Sequence, residues 1–343
     1  MSSARPFPIS RWAAGSPPTD LAILVAWFEG QDEAHERFRW VLRDSLDELL
    51  DGERTGRWCY QHLGKTEKTH LGTAIEINLT KEFEIPAGLD IDWHVAGHDL
   101  DCKFSKDIGG WEIPMEMYLC PDHGELSGKA DHPALLLWMN DDKGLWAAGL
   151  VRVTDDILRW KVGSDGVRRR AYNRDNKRTI AAGHLDQIYW LWSGVQEDLP
   201  ANTLLGIDER TRRSILDPTL SGQGRVSRMF RELEGTYITR SVVLTVGQQD
   251  DAPKRARDAR KDRVNRSMGL IILGHQNASP VIAERFDLPA PEKGEWVPVR
   301  VVPVDPSSTR PHFTFEETCW ARALPDEPDH PGPLIPDKMI PGL

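Results

Sequence analysis

Asp101, Cys102 and Lys103 form the triplet with the most chemical content in the chain. In an extended strand, residues two apart share a face, so Asp101 and Lys103 project together while Cys102 packs inward. Nine residues upstream stands Asp92, and Ala96-Gly97-His98 between them reads as a turn. A hairpin there brings Asp92 beside Asp101. Glu76, on the polar positions of 73–79 (TAIEINL), is a third acid within reach. Two or three carboxylates with one lysine suit metal-assisted phosphodiester hydrolysis. In that chemistry Asp92, Asp101 and Glu76 hold Mg2+, which polarises the phosphate, and Lys103 orients or deprotonates the attacking water. The bland alternative is a solvated strand face with a cross-strand ion pair, because Asp-x-Lys triplets are common on charged surfaces.

The elements that must position these groups follow from periodicity. Residues 73–79 alternate apolar Ile75, Ile77 and Leu79 with polar Glu76 and Asn78, which predicts a strand. Residues 99–104 (DLDCKF) predict another, with Leu100, Cys102 and Phe104 on one face. The runs 134–139 (ALLLWM) and 146–153 (WAAGLVRV) read as more deeply buried strands. Two helices precede them. One starts at Asp20, a good N-cap, with Leu21, Leu24, Val25 and Phe28 at helical spacing; the other carries Phe38, Val41, Leu42, Leu46 and Leu49 and stops at Asp51-Gly52. Helices followed by mixed strands predict an α/β domain over 20–162, after a Pro- and Ser-rich arm at 1–19.

Residues 163–178 (GSDGVRRRAYNRDNKR) are basic and nearly free of apolar side chains, which predicts a linker whose charge could follow a phosphate backbone. Beyond it, 187–192 (QIYWLW) is strand-like, and the rest of 179–304 is mainly helical in pattern. From 305 the tail is heavy in Pro and Asp and reads as largely irregular. Residues 240–264 predict a helix, a glycine turn at Gly247 and a second helix started by Asp250, Asp251 and Pro253. That second helix carries Lys254, Arg255, Arg257, Arg260, Lys261, Arg263 and Arg266 against Asp258 and Asp262. An apolar helix, a turn and a basic helix are the layout of a helix-turn-helix, with Gln248 and Gln249 placed to read base edges. A solvated helix with i,i+4 ion pairs is the alternative; the local positive excess favours DNA.

The chain has 343 residues and a net charge of −10, so the length suggests two domains and the basic character is local. Thirteen tryptophans offset a modest 39 % hydrophobic share. No apolar run approaches the ~20 residues of a membrane span, and the first residues lack the apolar core of a signal peptide. A cytoplasmic protein without a membrane partner is expected. The four cysteines have no CxxC spacing, and Cys120, His123 and His132 lack a fourth zinc ligand at sensible spacing. Gly64-Lys65-Thr66 ends like a phosphate-binding loop, but Cys59 stands where that loop needs glycine.

The runs LGKTEKTHLGTAIEINLTKEFEI and AGHDLDCKFSKDIGGWEIPMEMY resemble the nuclease domain of the NaeI-type restriction endonucleases. VVLTVGQQDDAPKRARDARKDR and GLIILGHQ resemble that family's second, DNA-binding domain. The similarity runs in order from about residue 20 to 304. It implies a restriction-endonuclease-like mixed-sheet domain, then a mostly helical domain with a helix-turn-helix of winged-helix, CAP-like type. It also implies a Mg2+-dependent homodimer that cuts double-stranded DNA at a palindrome (GCCGGC in the type member), activated by a second DNA copy. The family's acidic–lysine site falls on Glu76, Asp92, Asp101 and Lys103. Asp90 also lies near the first aspartate, so the assignment of Asp92 rests on spacing. The family's DNA-binding helix falls on the segment with Gln248, Gln249, Lys254, Arg255, Arg257, Arg260 and Lys261. Residues 119–133 look inserted, and the tail after 305 lies outside the pattern. Other readings are a structure-specific or repair nuclease on the same core, and a non-catalytic helix-turn-helix regulator.

Overall fold

The computed structural model describes residues 19–336 and 338, apart from 90, 123, 124, 128 and 129. The expected arm at 1–19, apart from Thr19 at the start of the first helix, and Asp90, His123 and the end of the tail therefore lie outside the described residues. In chain order, helices α1 (Thr19–Glu29), α2 (Ala34–Leu50), the one-turn α3 (Gly52–Thr55) and α4 (Lys65–Glu82) precede strands β1 (Trp93–Val95) and β2 (His98–Ser105). A short hairpin, β3 (Cys120–Asp122) and β4 (Glu125–Ser127), leads to β5 (Pro133–Asn140) and β6 (Leu145–Arg152). A second hairpin, β7 (Trp160–Val162) and β8 (Arg168–Arg170), comes before β9 (Tyr189–Trp190). Helices α5 (Thr203–Gly206), α6 (Glu209–Ile215) and α7 (Gly222–Glu232) follow, then β10 (Ile238–Thr239), α8 (Arg240–Gly247), α9 (Ala252–Arg260) and α10 (Arg263–Ser267). The remaining elements are β11 (Leu270–Gly274), α11 (Ala278–Arg285), β12 (Glu295–Val304), β13 (His312–Phe315) and β14 (Thr318–Arg322). The chain divides into one unit of residues up to Leu49 with Cys59–Ala201, and another of Leu50–Trp58 with Asn202 onward.

The first unit is built on a mixed sheet of order β1-β2-β5-β6-β9, in which β2 and β5 run parallel and the other pairs antiparallel. β5 is apolar almost throughout because both of its faces are covered. Trp111 is fully buried, and its indole N–H donates to the Leu137 carbonyl at 2.8 Å. The strands expected at 99–104, 134–139 and 146–153 are present; the one expected at 73–79 is not. Residues 73–79 belong to α4, whose buried Leu71, Ala74, Ile75 and Leu79 follow the helical i, i+3, i+4, i+8 spacing. Ile77 is 43 % exposed, so the two-residue alternation there was incidental. A bond from the Gly64 N–H to the Glu67 carboxylate at 2.7 Å helps start this helix. Asp20 lies in the first turn of α1 and pairs with Arg152.

The expected linker at 163–178 is ordered as part of the first unit, including β8 and the segment that pairs Arg178 with Ile113. Its few apolar residues concealed a fold held by arginine. Of 187–192, only Tyr189 and Trp190 form a strand. In the second unit, α7, α8 and α9 share a core of Val226, Phe230, Val242, Val246, Ala256 and Ala259. The mostly helical expectation is corrected by a five-stranded antiparallel arrangement, β10-β12-β14-β13 with β11 also on β12. The tail supplies β13 and β14, and Phe313 and Trp320 pack into a core with Ile271 and Val299. Among the described residues, no helix is long and apolar enough to cross a membrane.

Candidate active site

The β1–β2 hairpin turns through Ala96 and Gly97, both with positive φ (49° and 86°), as a two-residue loop that matches strand twist requires. Its register places Trp93 opposite Leu100 and Val95 opposite His98. His94 Nδ1 lies 2.7 Å from Asp99 Oδ1, and Asp99 Oδ2 accepts the Leu89 N–H at 3.0 Å. These polar bonds from His94, in β1, and Asp99, in β2, lock the hairpin. Asp92 immediately precedes β1, and its Oδ2 accepts the Cys102 N–H at 3.1 Å. The hairpin thus brings together the acid and the triplet that the sequence separates by nine residues.

Lys103 Nζ stands 2.6 Å from Asp101 Oδ1 and 3.7 Å from Asp92 Oδ2. Cys102 packs the other way and is buried, which pushes its thiol well up. Asp101 is only 3 % exposed, and its Oδ2 receives no donor among the described residues. Burial and the neighbouring Asp92 push the Asp101 carboxyl up to about 8, against the pull of Lys103. Burial acts the same way on Asp92, but hydrogen bonds from Asp101 and Cys102 outweigh it and leave Asp92 below its ordinary range. Burial also opposes the Lys103 charge, yet Asp101 and Asp92 prevail and hold the ammonium above its usual value. Lys103 is therefore a cationic donor here.

Glu76 reaches the site from α4, not from a strand. Burial raises its carboxyl, Asp92 adds to the rise, and Lys103 counteracts it. Among the described residues, no three acids or histidines converge into a ready metal cluster, so Glu76 does not join Asp92 and Asp101 as a third converging ligand. The pair by itself fits a hard divalent cation. A buried carboxylate oxygen without a donor beside a second carboxylate calls for a positive charge, and Mg2+ commonly uses one or two carboxylates with water and phosphate.

Sequence reasoning missed the pair at the carboxyl ends of the parallel strands β2 and β5. Lys106 is ion-paired with Asp141, whose side chain is fully buried and accepts the Tyr60 N–H at 3.0 Å. Lys106 also sits over the Tyr60 ring, 4.6 Å from its centre. This pair clamps the strand three residues beyond Lys103. The only available signal was an acid directly after an apolar strand.

In the second unit, α8 ends at Gly247, and Gln248 and Asp251 take left-handed backbone conformations before α9. The Asp251 side chain caps α9 by accepting the Lys254 N–H at 3.1 Å. Gln248, Gln249, Lys254, Arg257 and Lys261 are exposed. Arg255 is more enclosed, with Nη1 donating to Gln249 at 2.6 Å. Arg260 Nε donates to the Ile272 carbonyl at 2.8 Å, and Ile272 lies opposite Pro298, which has no N–H to offer. Two of the basic residues thus serve the fold.

The family described as restriction endonuclease NaeI matches residues 23–331 of this chain. The chain is 38 % identical over 328 residues to the Type II restriction enzyme NaeI of Lentzea aerocolonigenes, covering 94 % of this chain and 96 % of that protein. The match runs past 304, so the part of the tail up to 331 falls within its bounds.

Proposed function

The chain is a restriction endonuclease of the NaeI family, and from that premise we propose that it hydrolyses both strands of double-stranded DNA at a palindromic, GCCGGC-like site in a Mg2+-dependent reaction. The observation that carries the proposal is the buried Asp101 carboxyl, whose Oδ2 receives no donor among the described residues while its Oδ1 pairs with the Lys103 ammonium, which also stands 3.7 Å from Asp92. Asp92 and Asp101 would hold the ion, which when bound supplies polarisation of the phosphate and compensation of its growing charge.

The remaining work falls to the chain's own groups. Lys103, kept charged by its two acids, donates to the attacking water or to a phosphate oxygen and fixes its direction. Its charge state favours orientation over proton removal. Glu76, with its raised carboxyl facing Asp92 and Lys103, holds water at the edge of the site. Attack at phosphorus with departure of the 3′ oxygen leaves a 5′-phosphate and a 3′-hydroxyl.

We further propose that α8, the four-residue turn and α9 act as a helix-turn-helix for a second, effector copy of the DNA. Gln248 and Gln249 would meet base edges, and Lys254, Arg257 and Lys261 would meet phosphates. Arg255 and Arg260 would shape that surface. The sharing of one core by α7, α8 and α9 supports this reading. A palindrome and one catalytic centre per chain call for a homodimer, acting in the cytoplasm. Digestion of a sequenced plasmid tests the proposal. Defined double-strand ends with 5′-phosphates in Mg2+, and no cutting in EDTA, are expected; random nicking or metal-independent cutting would overturn it.

A further inference from the structure

The β7–β8 hairpin combines a rigid mount with a bare, basic tip. At its root, Arg178 is fully buried and donates to the carbonyls of Arg159 at 3.1 Å, Leu158 at 3.1 Å and Asp155 at 3.2 Å. Arg178 and Arg170 both hold the Asp155 carboxylate, Arg170 by bonds of 2.8, 3.0 and 3.2 Å. Trp160 is overlaid by three guanidinium groups, from Arg168 at 4.4 Å, Arg178 at 4.9 Å and Arg170 at 5.5 Å. A lone two-stranded hairpin is marginal in water, and this root supplies the order it lacks.

The tip is different. Val162 is 71 % exposed and Val167 51 %, near the exposed cations Lys161 and Arg168 and the exposed Arg169, which pairs with Asp165 at 2.8 Å. Register sets Val162 opposite Arg168 and Lys161 opposite Arg169, so one ribbon face carries Trp160, Val162, Arg168 and Arg170 and the other Lys161 and Arg169. A purely solvated hairpin gains nothing from two bare valines. The chain that leads to the ribbon also leaves the sheet near the proposed catalytic acid. Asp101 pairs with Ala134 and Ala134 with Val151, one residue before β6 ends, and the chain runs on from there to Trp160. Two strand spacings separate Asp101 from that exit, roughly 10 Å. A two-stranded ribbon is also one of the shapes that the major groove, ~12 Å wide, admits.

Resting on the reading of the chain as a DNA-cleaving enzyme, we propose that the 160–170 hairpin is a sequence-reading ribbon that enters the major groove of the substrate duplex beside the scissile bond. Arg168, braced on Trp160, presents its guanidinium fork to a guanine edge. Val162, on the Arg168 face, lies against base edges, while Lys161, Val167 and Arg169 line the opposite face toward the backbone, where Arg169 exchanges Asp165 for a phosphate.

The test is single-turnover cleavage by the full chain in Mg2+, at its mapped site and at sites changed by one base pair. The variants are Arg168→Ala, Arg168→Lys and the pair Val162→Ser with Val167→Ser. Arg168→Ala should slow cutting at the mapped site by about 10–100-fold and shrink the preference over one-base variants, with the melting temperature lowered only slightly by the lost contact to Trp160. Arg168→Lys should not restore the preference, because an ammonium cannot make the two-pronged contact. The serine pair should lose several-fold at the mapped site. Wild-type rate and preference in Arg168→Ala would overturn the inference while leaving the endonuclease reading intact. Full rescue by lysine would reduce Arg168 to a phosphate contact and overturn base reading. Unchanged chemistry with loss of the dimer would assign the ribbon to a subunit contact instead. A wild-type chain that cuts no DNA would sink the endonuclease reading, and this inference with it.

Discussion

Asp92 Oδ2 and the backbone N–H of Cys102, 3.1 Å apart, tie a loop carboxylate to the strand that carries Asp101 and Lys103. The same atom holds the hairpin and lies 3.7 Å from the Lys103 ammonium, and under the proposed function it would also hold Mg2+. Asp92→Asn keeps an acceptor for the Cys102 N–H and removes the charge. The Mg2+ concentration for half-maximal cleavage should rise at least about tenfold, with little change in melting temperature. Asp92→Ala should show the same metal defect plus a stability loss of about 1 kcal/mol for the missing bond. A metal titration of both variants with thermal melts checks this, and equal stability of the two would contradict the structural duty.

Asp155 gives a pH signature away from the proposed metal site. Burial alone would raise its carboxyl, but hydrogen bonds from Arg170 and Arg178 outweigh burial and hold it below its ordinary range. The folded state therefore binds this proton more weakly than the unfolded chain does. The stabilisation is complete above the unfolded value, about 3.9, and fades as pH falls through the folded one. Asp155→Asn should cost about 3 kcal/mol at pH 7, because Arg178 is left buried without its counter-charge. The gap to wild type should narrow in melts below about pH 4. A gap constant from pH 7 to pH 3 would refute the ion-pair account.

The cations of α9 should separate into two classes. Arg260→Gln removes the donor to the Ile272 carbonyl and should lower stability by about 1–2 kcal/mol. The exposed set Lys254→Gln, Arg257→Gln and Lys261→Gln should leave stability almost unchanged. In that triple variant the salt dependence of effector-oligonucleotide binding should become shallower by ~0.9 log units per lost phosphate contact. One-site plasmids should then be cut slowly, with little stimulation by added site-bearing oligonucleotide. Unchanged stimulation in the folded triple variant would remove α9 from the effector role.

Assembly is tested by sedimentation with and without DNA. A dimer and double-strand breaks are expected; a stable monomer on DNA that produces only nicks would contradict the two-centre account.

The β1–β2 hairpin was legible because its signals are local. A two-residue period put Asp101 and Lys103 on one face, and a turn at Ala96 and Gly97 returned Asp92 to them. α4 was misread because Ile75, Ile77 and Leu79 satisfy a strand period over seven residues, whereas Leu71 and Ala74 reveal the helix only over a longer window. The 163–178 segment was misread for another reason. Its order comes from Arg178 and Arg170 on Asp155, and buried arginine leaves no hydrophobic pattern. Lys106 and Asp141, 35 residues apart, meet only through the parallel register of β2 and β5. The short inclusion of Leu50–Trp58 in the second unit is likewise a tertiary fact that periodicity does not carry.

The central claim is that Lys103, charged and held by Asp101 and Asp92, serves the chemical step. Its most direct test is single-turnover cleavage of a site-bearing duplex by Lys103→Ala in saturating Mg2+, with binding of the same duplex measured alongside. The account predicts cleavage below a few per cent of the wild-type rate while specific binding stays within about tenfold. Cleavage near the wild-type rate, or a loss of cleavage matched by an equal loss of binding, would contradict it.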